Sequence, residues 1–395
     1  MLRYVTAGES HGQALVTIIE GMPAGLPITA EEVNLQLQRR QKGHGRGGRM
    51  AIETDAAEIL SGIRNGLTTG GPISFMIRNR DWSNWQDIMA VEESRGARER
   101  SVHRPRPGHA DLGGAMKYDH RDMRDVLERA SARETASRVA AGAIFRKLLE
   151  RFEMEIYSQV VSIGAVSAVP QSVDRVSVQD FRRRVESSPV RCPDESMSGQ
   201  MVQAIDDARQ AGESLGGCFE TGILGVPPGI GTYTSWEGRL EAQLSALIMS
   251  IPAIKAVEVG AGVSNATRPG SKVHDEIFFD AGRGIHRSTN RAGGIEGGMS
   301  NGEPIWVRAH MKPIPTLYKP LFSVNTAVWA EEKADIERSD ICAVPAASIV
   351  GEAMVAYGLA RAFLAKVGGD FIGQIESNYA TYREYLWKEW KWQRT

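Results

Sequence analysis

The segment from about Asp122 to Glu150 constrains the fold most. Val126, Ala130, Val139, Ala143 and Leu148 recur through it at helical spacing. Its middle carries almost no bulk: Ala130, Ser131, Ala132, Ala136, Ser137, Ala140, Ala141, Gly142 and Ala143. Small side chains let neighbouring elements approach closely. The pattern therefore predicts a helix deep inside the molecule.

Strands and helices mix around it without strict alternation. The chain enters a strand-like pattern at once (Leu2-Arg3-Tyr4-Val5), and Ala14 to Glu20 reads as a β-branched strand. Thr29-Ala30-Glu31-Glu32 is a capping-box signal for a helix ending near Arg39 and Arg40. Strands are predicted at Glu58–Arg64, Ile73–Arg78, Ala256–Gly260, Glu276–Phe279 and Ile305–Met311. Helices are predicted at Val178–Glu186, Met201–Gln210, Trp236–Ile251 and Ala346–Lys366. The last starts behind Pro345 and stops at Gly368-Gly369. Such an order favours an α+β fold over a doubly wound sheet. No repeat, low-complexity segment or linker divides the chain, so residues 1–395 read as one large domain.

The totals exclude several classes. A net charge of -1 and a pI near 6.7 give no global attraction to nucleic acid or an anionic membrane. Three cysteines, Cys192, Cys218 and Cys342, lie far apart without metal-ligand spacing, and the histidines form no HExxH pattern. No metal site is expected. The N-terminus lacks a signal-peptide pattern, and no apolar run approaches the roughly 20 residues that span a bilayer. A cytoplasmic protein is expected.

Against this neutral total, charge is concentrated locally. Arg39 to Arg49 holds five cationic side chains, interleaved glycines and no acid. Guanidinium groups grip phosphate and carboxylate in a two-pronged geometry. A solvated basic loop would carry the same charge, but the glycines favour a bound small polyanion. A second basic stretch spans Arg95 to Asp111. Pro105 and Pro107 stiffen it, so Arg104, Arg106 and His109 would project from a rigid segment; a mobile surface loop is the alternative. His11 sits in the turn Gly8-Glu9-Ser10-His11-Gly12, where it is either a proton carrier or a structural histidine. Arg338-Ser339-Asp340 could simply pair internally. Lys312-Pro313-Ile314-Pro315-Thr316 could hold a phosphate or form a plain turn. The glycine-rich loop Gly293 to Gly302 could cradle an anion. Familiar nucleotide motifs fail: Val257 to Asn265 lacks the third glycine and the following helix of a dinucleotide fingerprint, and no Walker A sequence occurs.

Taken together, these pieces resemble the chorismate synthase family. GESHG at 8–12, RRxxGxGRGGRM at 39–50, RPRPGHAD at 104–111, RASARET at 129–135, GGIEGGMSNGE at 293–303 and RSDICAVPAA at 338–347 match it in order across nearly the whole chain. The resemblance implies a β-α-β sandwich, with antiparallel sheets around central helices, assembled as a homotetramer. It implies reduced FMN as cofactor and the anti-1,4-elimination of phosphate from 5-enolpyruvylshikimate 3-phosphate. The product, chorismate, lies on the shikimate route to aromatic amino acids.

The resemblance also assigns residues. Ser10, Arg40, Arg46, Arg49, Arg106, Arg133 and Arg338 would surround the substrate. Arg129-Ala130-Ser131, Pro252-Ala253, Gly297, Lys312 to Thr316 (Lys312, Pro313, Ile314, Pro315, Thr316) and Arg338 would hold the flavin. Arg40 and Arg46 would also contact NADPH, a candidate reductant. His11 would protonate the departing phosphate, His109 would lie by flavin N1, and Asp340 would work with flavin N5 to accept the C6 proton. The family more often has Ser where Pro315 stands and a polar residue where Pro252 stands. Two rival classes make different predictions. An anion- or RNA-binding module would bind nucleic acid salt-sensitively without flavin, and a flavin oxidoreductase would consume reductant stoichiometrically.

Overall fold

The computed structural model describes residues 1–47, 54–336 and 339–393. Its helices, in chain order, are α1 Ala30–Gln41, α2 Asp111–Tyr118, α3 Arg124–Ala130, α4 Thr135–Arg151, α5 Val178–Ser187, α6 Glu195–Ala211, α7 Leu240–Met249, α8 Val344–Val367 and α9 Ile372–Trp390. Two antiparallel sheets enclose four of them. The first orders its strands Arg3–Ala7, Ala14–Glu20, Ile73–Arg78, Ala57–Ser61. The second runs Ile254–Val259, Ile305–Met311, Gly217–Leu224, Glu155–Ile163, Val166–Ser167. α1 and α4 pack on the first sheet, α7 and α8 on the second, and α4 packs on α8. The expected α+β sandwich around central helices is the observed architecture.

Burial explains the layers. In the first sheet Leu15, Thr17 and Ile19 alternate with exposed Val16 and Ile18, and Ile73, Phe75 and Ile77 are buried on the adjacent strand. That period of two marks a sheet covered on one face. Helix α8 is buried from Val344 through Ala360. It is the one described helix long and apolar enough to cross a membrane, yet 89% of that window is buried within the protein. Its neighbours come close because bulk is missing. A Cβ on Gly142 of α4 would stand 2.3 Å from the Ala353 Cβ of α8. A Cβ on Gly351 would stand 2.5 Å from Phe219 of the second sheet. The small residues in α4 therefore do what their composition implied.

The expected single helix over 122–150 is two helices. Ser131 between them is extended (φ −65°, ψ 143°), and its side chain accepts from the Arg133 N–H before a 3-10 turn over Ala132–Glu134. A serine hydroxyl competes for backbone hydrogen bonds and favours such breaks. The break turns Ser131 and Arg133 towards the cavity described next. Helix α6 starts earlier than expected because Asp194 caps it, accepting from the Met197 N–H at 2.9 Å.

Candidate active site

A cavity of about 1000 Å³ opens where α4 and α8 begin. Ser131 to Thr135 lead into α4 at its edge, and Ala343, just before α8, lines it together with Ala346, Ala347 and Val350 of α8. Helix N-termini present backbone N–H groups and the positive end of the dipole. Seven cationic side chains join them: Arg40, Arg46, Arg100, Arg106, Arg124, Arg133 and Lys312. Among the described lining residues only Asp81 and Asp340 are acidic.

Arg40 arrives from the last turn of α1, where it is buried. Its Nε donates to Thr135 Oγ1 at 3.0 Å and its Nη2 to the Ala132 carbonyl at 3.1 Å, fixing it at the head of α4. Burial, then the neighbouring charge of Arg46, pushes its pKa down to about 10. Asp55, with a fully buried side chain, sits between two arginines. Its Oδ1 accepts from Arg133 Nη1 at 2.6 Å, and its Oδ2 lies 3.6 Å from Arg40 Nη1. Arg133 Nε also donates to Asn79 Oδ1 at 2.9 Å. The Asn79 amide in turn donates to the Gly12 carbonyl at 2.7 Å and the Glu9 carbonyl at 3.1 Å. One asparagine thus ties the 8–12 turn to a cavity-lining arginine.

That turn presents Ser10 and His11. Gly8 holds φ 106°, where a Cβ would stand 2.3 Å from the Ala14 carbonyl oxygen. Ser10 Oγ lies 3.1 Å from Ser131 Oγ. The His11 ring stacks on Trp85, centroids 3.8 Å apart at 20°. Its Nδ1 lies 2.8 Å from Glu128 Oε1, and its main-chain N–H donates to Glu128 Oε2 at 2.8 Å. Arg124 Nη1 donates to the same carboxylate at 3.0 Å. Burial raises the Glu128 pKa, but the His11 bonds and the Arg124 charge outweigh it and hold the carboxyl below its ordinary range.

His109 repeats the arrangement. Its Nδ1 lies 2.5 Å from Asp111 Oδ1. Arg106 clamps Asp111 through Nε at 2.9 Å and Nη2 at 3.1 Å, and donates from Nη1 to Thr316 Oγ1 at 3.2 Å. Burial opposes ionisation of Asp111, but His109 and Arg106 prevail and hold its pKa well below the carboxylate range. Arg46 Nη1 and the Gly47 N–H both donate to Asp340, each at 2.7 Å. Lys312 Nζ donates to the Gly108 carbonyl at 2.9 Å, and its main-chain N–H donates to the Ala253 carbonyl at 3.0 Å. Ala253 holds φ 68°, a strained value for a residue with a Cβ.

The fold brings many of the expected residues to one place. Ser10, His11, Arg40, Arg46, Arg106, His109, Arg133 and Asp340 line the cavity. So do Ala130, Ser131, Pro252, Ala253, Lys312, Ile314, Pro315 and Thr316. Three expected flavin contacts are not among the residues that line it. Arg129 donates to the Thr6 and Gly8 carbonyls and bolts the end of the first strand. Gly297 is exposed in the tight hairpin between Ile295–Glu296 and Met299–Ser300. Pro313 is not among the lining residues. Arg49 and Arg338 fall outside the described residues. Arg39 and Arg104, which share the basic runs, point away. Arg39 binds Glu352 and Glu186, and Arg104 pairs with Asp335.

Sequence reasoning missed Asp55, Asn79, Trp85, Arg100, Arg124 and Glu128. Arg124 and Glu128 stand four apart on α3, a spacing shared by many helical ion pairs and so no mark of a site. Asp55 and Asn79 sit outside every recognised motif, so no local signal marked them.

The comparisons decide among the classes such a cavity could serve. The family model described as chorismate synthase matches residues 2–364. The chain belongs to the chorismate synthase family. It is similar to chorismate synthase of Syntrophomonas wolfei subsp. wolfei, 61% identical over 394 residues and all of both chains. It is 54% identical over 390 residues to chorismate synthase of Desulforamulus reducens, covering 99% of each. A crystal structure of chorismate synthase superposes with a TM-score of 0.79 at 42% identity, covering 98% of each chain. Family membership makes the chain an enzyme, a carbon–oxygen lyase.

Proposed function

We propose that this chain eliminates phosphate from 5-enolpyruvylshikimate 3-phosphate to give chorismate, with reduced FMN in the same cavity. The observation that carries the reading is the convergence of seven cations on one site, with Arg40 desolvated enough to be pushed down to about 10. Like charges gathered out of water are unfavourable until an anion arrives. A substrate with one phosphate and two carboxylates supplies that charge.

The cavity suits the cofactor as well. Its volume lies at the top of the roughly 300–1,000 Å³ range of small-molecule sites, so it can hold more than one ligand. Ile251, Pro252, Met311, Ile314 and Pro315 give one wall an apolar surface for a ring, and Lys312 and Thr316 offer polar ends beside it. Ala130, Ser131 and Ala253 complete the residues proposed to hold the flavin. When bound, reduced FMN supplies a reversible electron source for an allylic system whose C6 hydrogen no carbonyl activates.

The chain's own groups would then do the following. Arg40, Arg46, Arg106 and Arg133 bind and orient the anionic groups, and their charge stabilises the leaving phosphate. His11 gives a proton to a phosphate oxygen. Asp340, an acceptor held by Arg46 and the Gly47 N–H, takes the C6 proton. His109 sits on the flavin side, steadied by Asp111. A homotetramer is part of the proposal, supported by exposed Val5, Val16 and Ile18 on the uncovered face of the first sheet; light scattering on the purified protein measures it. The functional test is turnover: phosphate and chorismate released in equal amounts, only when reduced FMN is present.

A further inference from the structure

We propose that Glu128 is the positioning residue of His11, fixing the ring so that its proton exchange with a cavity ligand runs through Nε2. The inference rests on the functional reading above for its kinetic part and on geometry alone for its structural part. Glu128 has a fully buried side chain and meets His11 twice, at Nδ1 and at the main-chain N–H. An ionised carboxylate only accepts hydrogen bonds. Arg124, bonded to Glu128 at 3.0 Å, keeps it ionised. Nδ1 must therefore carry a hydrogen in both the neutral and the charged ring, which fixes the tautomer. Proton transfer is left to Nε2.

The surroundings show why such a partner is needed. A proton donor inside a cation-lined cavity must hold positive charge against its neighbours. Arg124 lies 5.1 Å and Arg100 4.3 Å from the centroid of Trp85, the ring on which His11 stacks. Asp81 accepts from Trp85 Nε1 at 3.0 Å, so it is engaged beside that ring, and Glu9 belongs to the same turn as His11. Glu128 bonds the imidazole through both carboxylate oxygens, at 2.8 and 3.0 Å from Nδ1. Trp85 limits ring tilt and offers its face to an imidazolium. His109 with Asp111 and Arg106 has the same order of groups, so the device occurs twice in one cavity.

The test uses the full-length protein and two substitutions, Glu128→Gln and Glu128→Asp. In ¹⁵N NMR of the imidazoles, wild-type His11 is expected to hold the Nδ1–H tautomer, and Glu128→Gln to populate both tautomers. In turnover with reduced FMN, Glu128→Gln should lower kcat roughly a hundredfold with little change in KM. Its pH profile of turnover should differ from that of the wild type, because the imidazolium loses its counter-charge. Glu128→Asp keeps the charge one methylene further back, so it should recover the wild-type pH profile and part of kcat. Circular dichroism and thermal unfolding report whether each variant folds; should Glu128→Gln not fold, Glu128→Asp carries the test, with the Nδ1–H tautomer kept and kcat reduced at unchanged KM as the expected result and wild-type kcat as the overturning one. A folded variant with the wild-type tautomer, kcat and pH profile overturns the proposal. A tautomer change in a protein whose wild type shows no turnover would refute the functional reading and support the positioning role.

Discussion

Asp55 accepts a hydrogen bond from Arg133 at 2.6 Å while its other oxygen stands 3.6 Å from Arg40. One buried carboxylate thus spaces two guanidinium groups at the mouth of α4 without cancelling both. The remaining positive charge is what the cavity offers an anion. That view separates the needs of folding from those of binding.

Arg40→Met should therefore leave ligand-free stability within about 1 kcal/mol of wild type, because Asp55 keeps Arg133 and one desolvated cation is removed. Stabilisation by the phosphorylated substrate should fall sharply, from about 2.7 kcal/mol at a hundredfold excess over Kd to near zero at the same concentration. Thermal unfolding with and without substrate measures both. An equal loss without ligand would make Arg40 structural.

Glu352 lies inside α8 and binds three arginines and a serine. Arg39 donates to it at 2.7 Å, Arg146 at 2.6 Å, Arg191 at 3.3 Å and Ser158 at 2.6 Å. Glu352→Ala leaves those cations without their common acceptor and should cost about 3–5 kcal/mol in denaturant unfolding. A loss below 1 kcal/mol would show that the cluster is solvated.

Acid should unfold the protein through the same kind of group. Burial opposes ionisation of Glu352, Asp111 and Glu128, but their partners hold all three folded-state pKa values below the ordinary 4.5 and 3.8 of Glu and Asp. A depressed folded value means that stability is fully present above the unfolded value and lost as pH falls through the folded one. The melting temperature should stay level down to about pH 5 and fall steadily below it. In Glu352→Gln the acid fall should be shallower. A melting temperature that drops between pH 8 and 6 instead would point to histidines.

Gly142 faces Ala353 with no room for a Cβ. Gly142→Ala should destabilise the protein by about 1–3 kcal/mol through overpacking of α4 against α8. Adding Ala353→Gly should recover part of that loss, and a double-mutant cycle in denaturant measures the coupling. Strict additivity would mean that the two helices part freely.

How far the sequence reached depended on where each signal lies. The small residues of α4, the capping box at Thr29 and the Pro345 start of α8 are local, and each names its element. Two adjacent inner strands of the second sheet, Glu155–Ile163 and Gly217–Leu224, were not legible. Buried Ser158, Gln159, Glu220 and Thr221 interrupt their apolar pattern, and the first three find their partners only across the fold, as when Gln159 donates to Glu220 at 2.9 Å. Helix α2 was hidden by Gly113 and Gly114. In the site, the motifs pointed to His11, Arg40 and Arg106, but Asp55, Asn79 and Glu128 acquire meaning only when distant segments meet. The break at Ser131 shows the same limit, since helical spacing continues through it while the cavity requires an interruption.

The central claim is an elimination that leaves the flavin as it found it. The direct measurement is an anaerobic reaction of the purified protein with 5-enolpyruvylshikimate 3-phosphate and chemically reduced FMN, following chorismate, phosphate and the flavin spectrum together. The account predicts equal release of both products over many turnovers with the flavin still reduced at the end; oxidised FMN with NADPH in a parallel reaction tests NADPH as reductant. Release of neither product by folded protein that binds reduced FMN would contradict it, as would flavin oxidation in step with product.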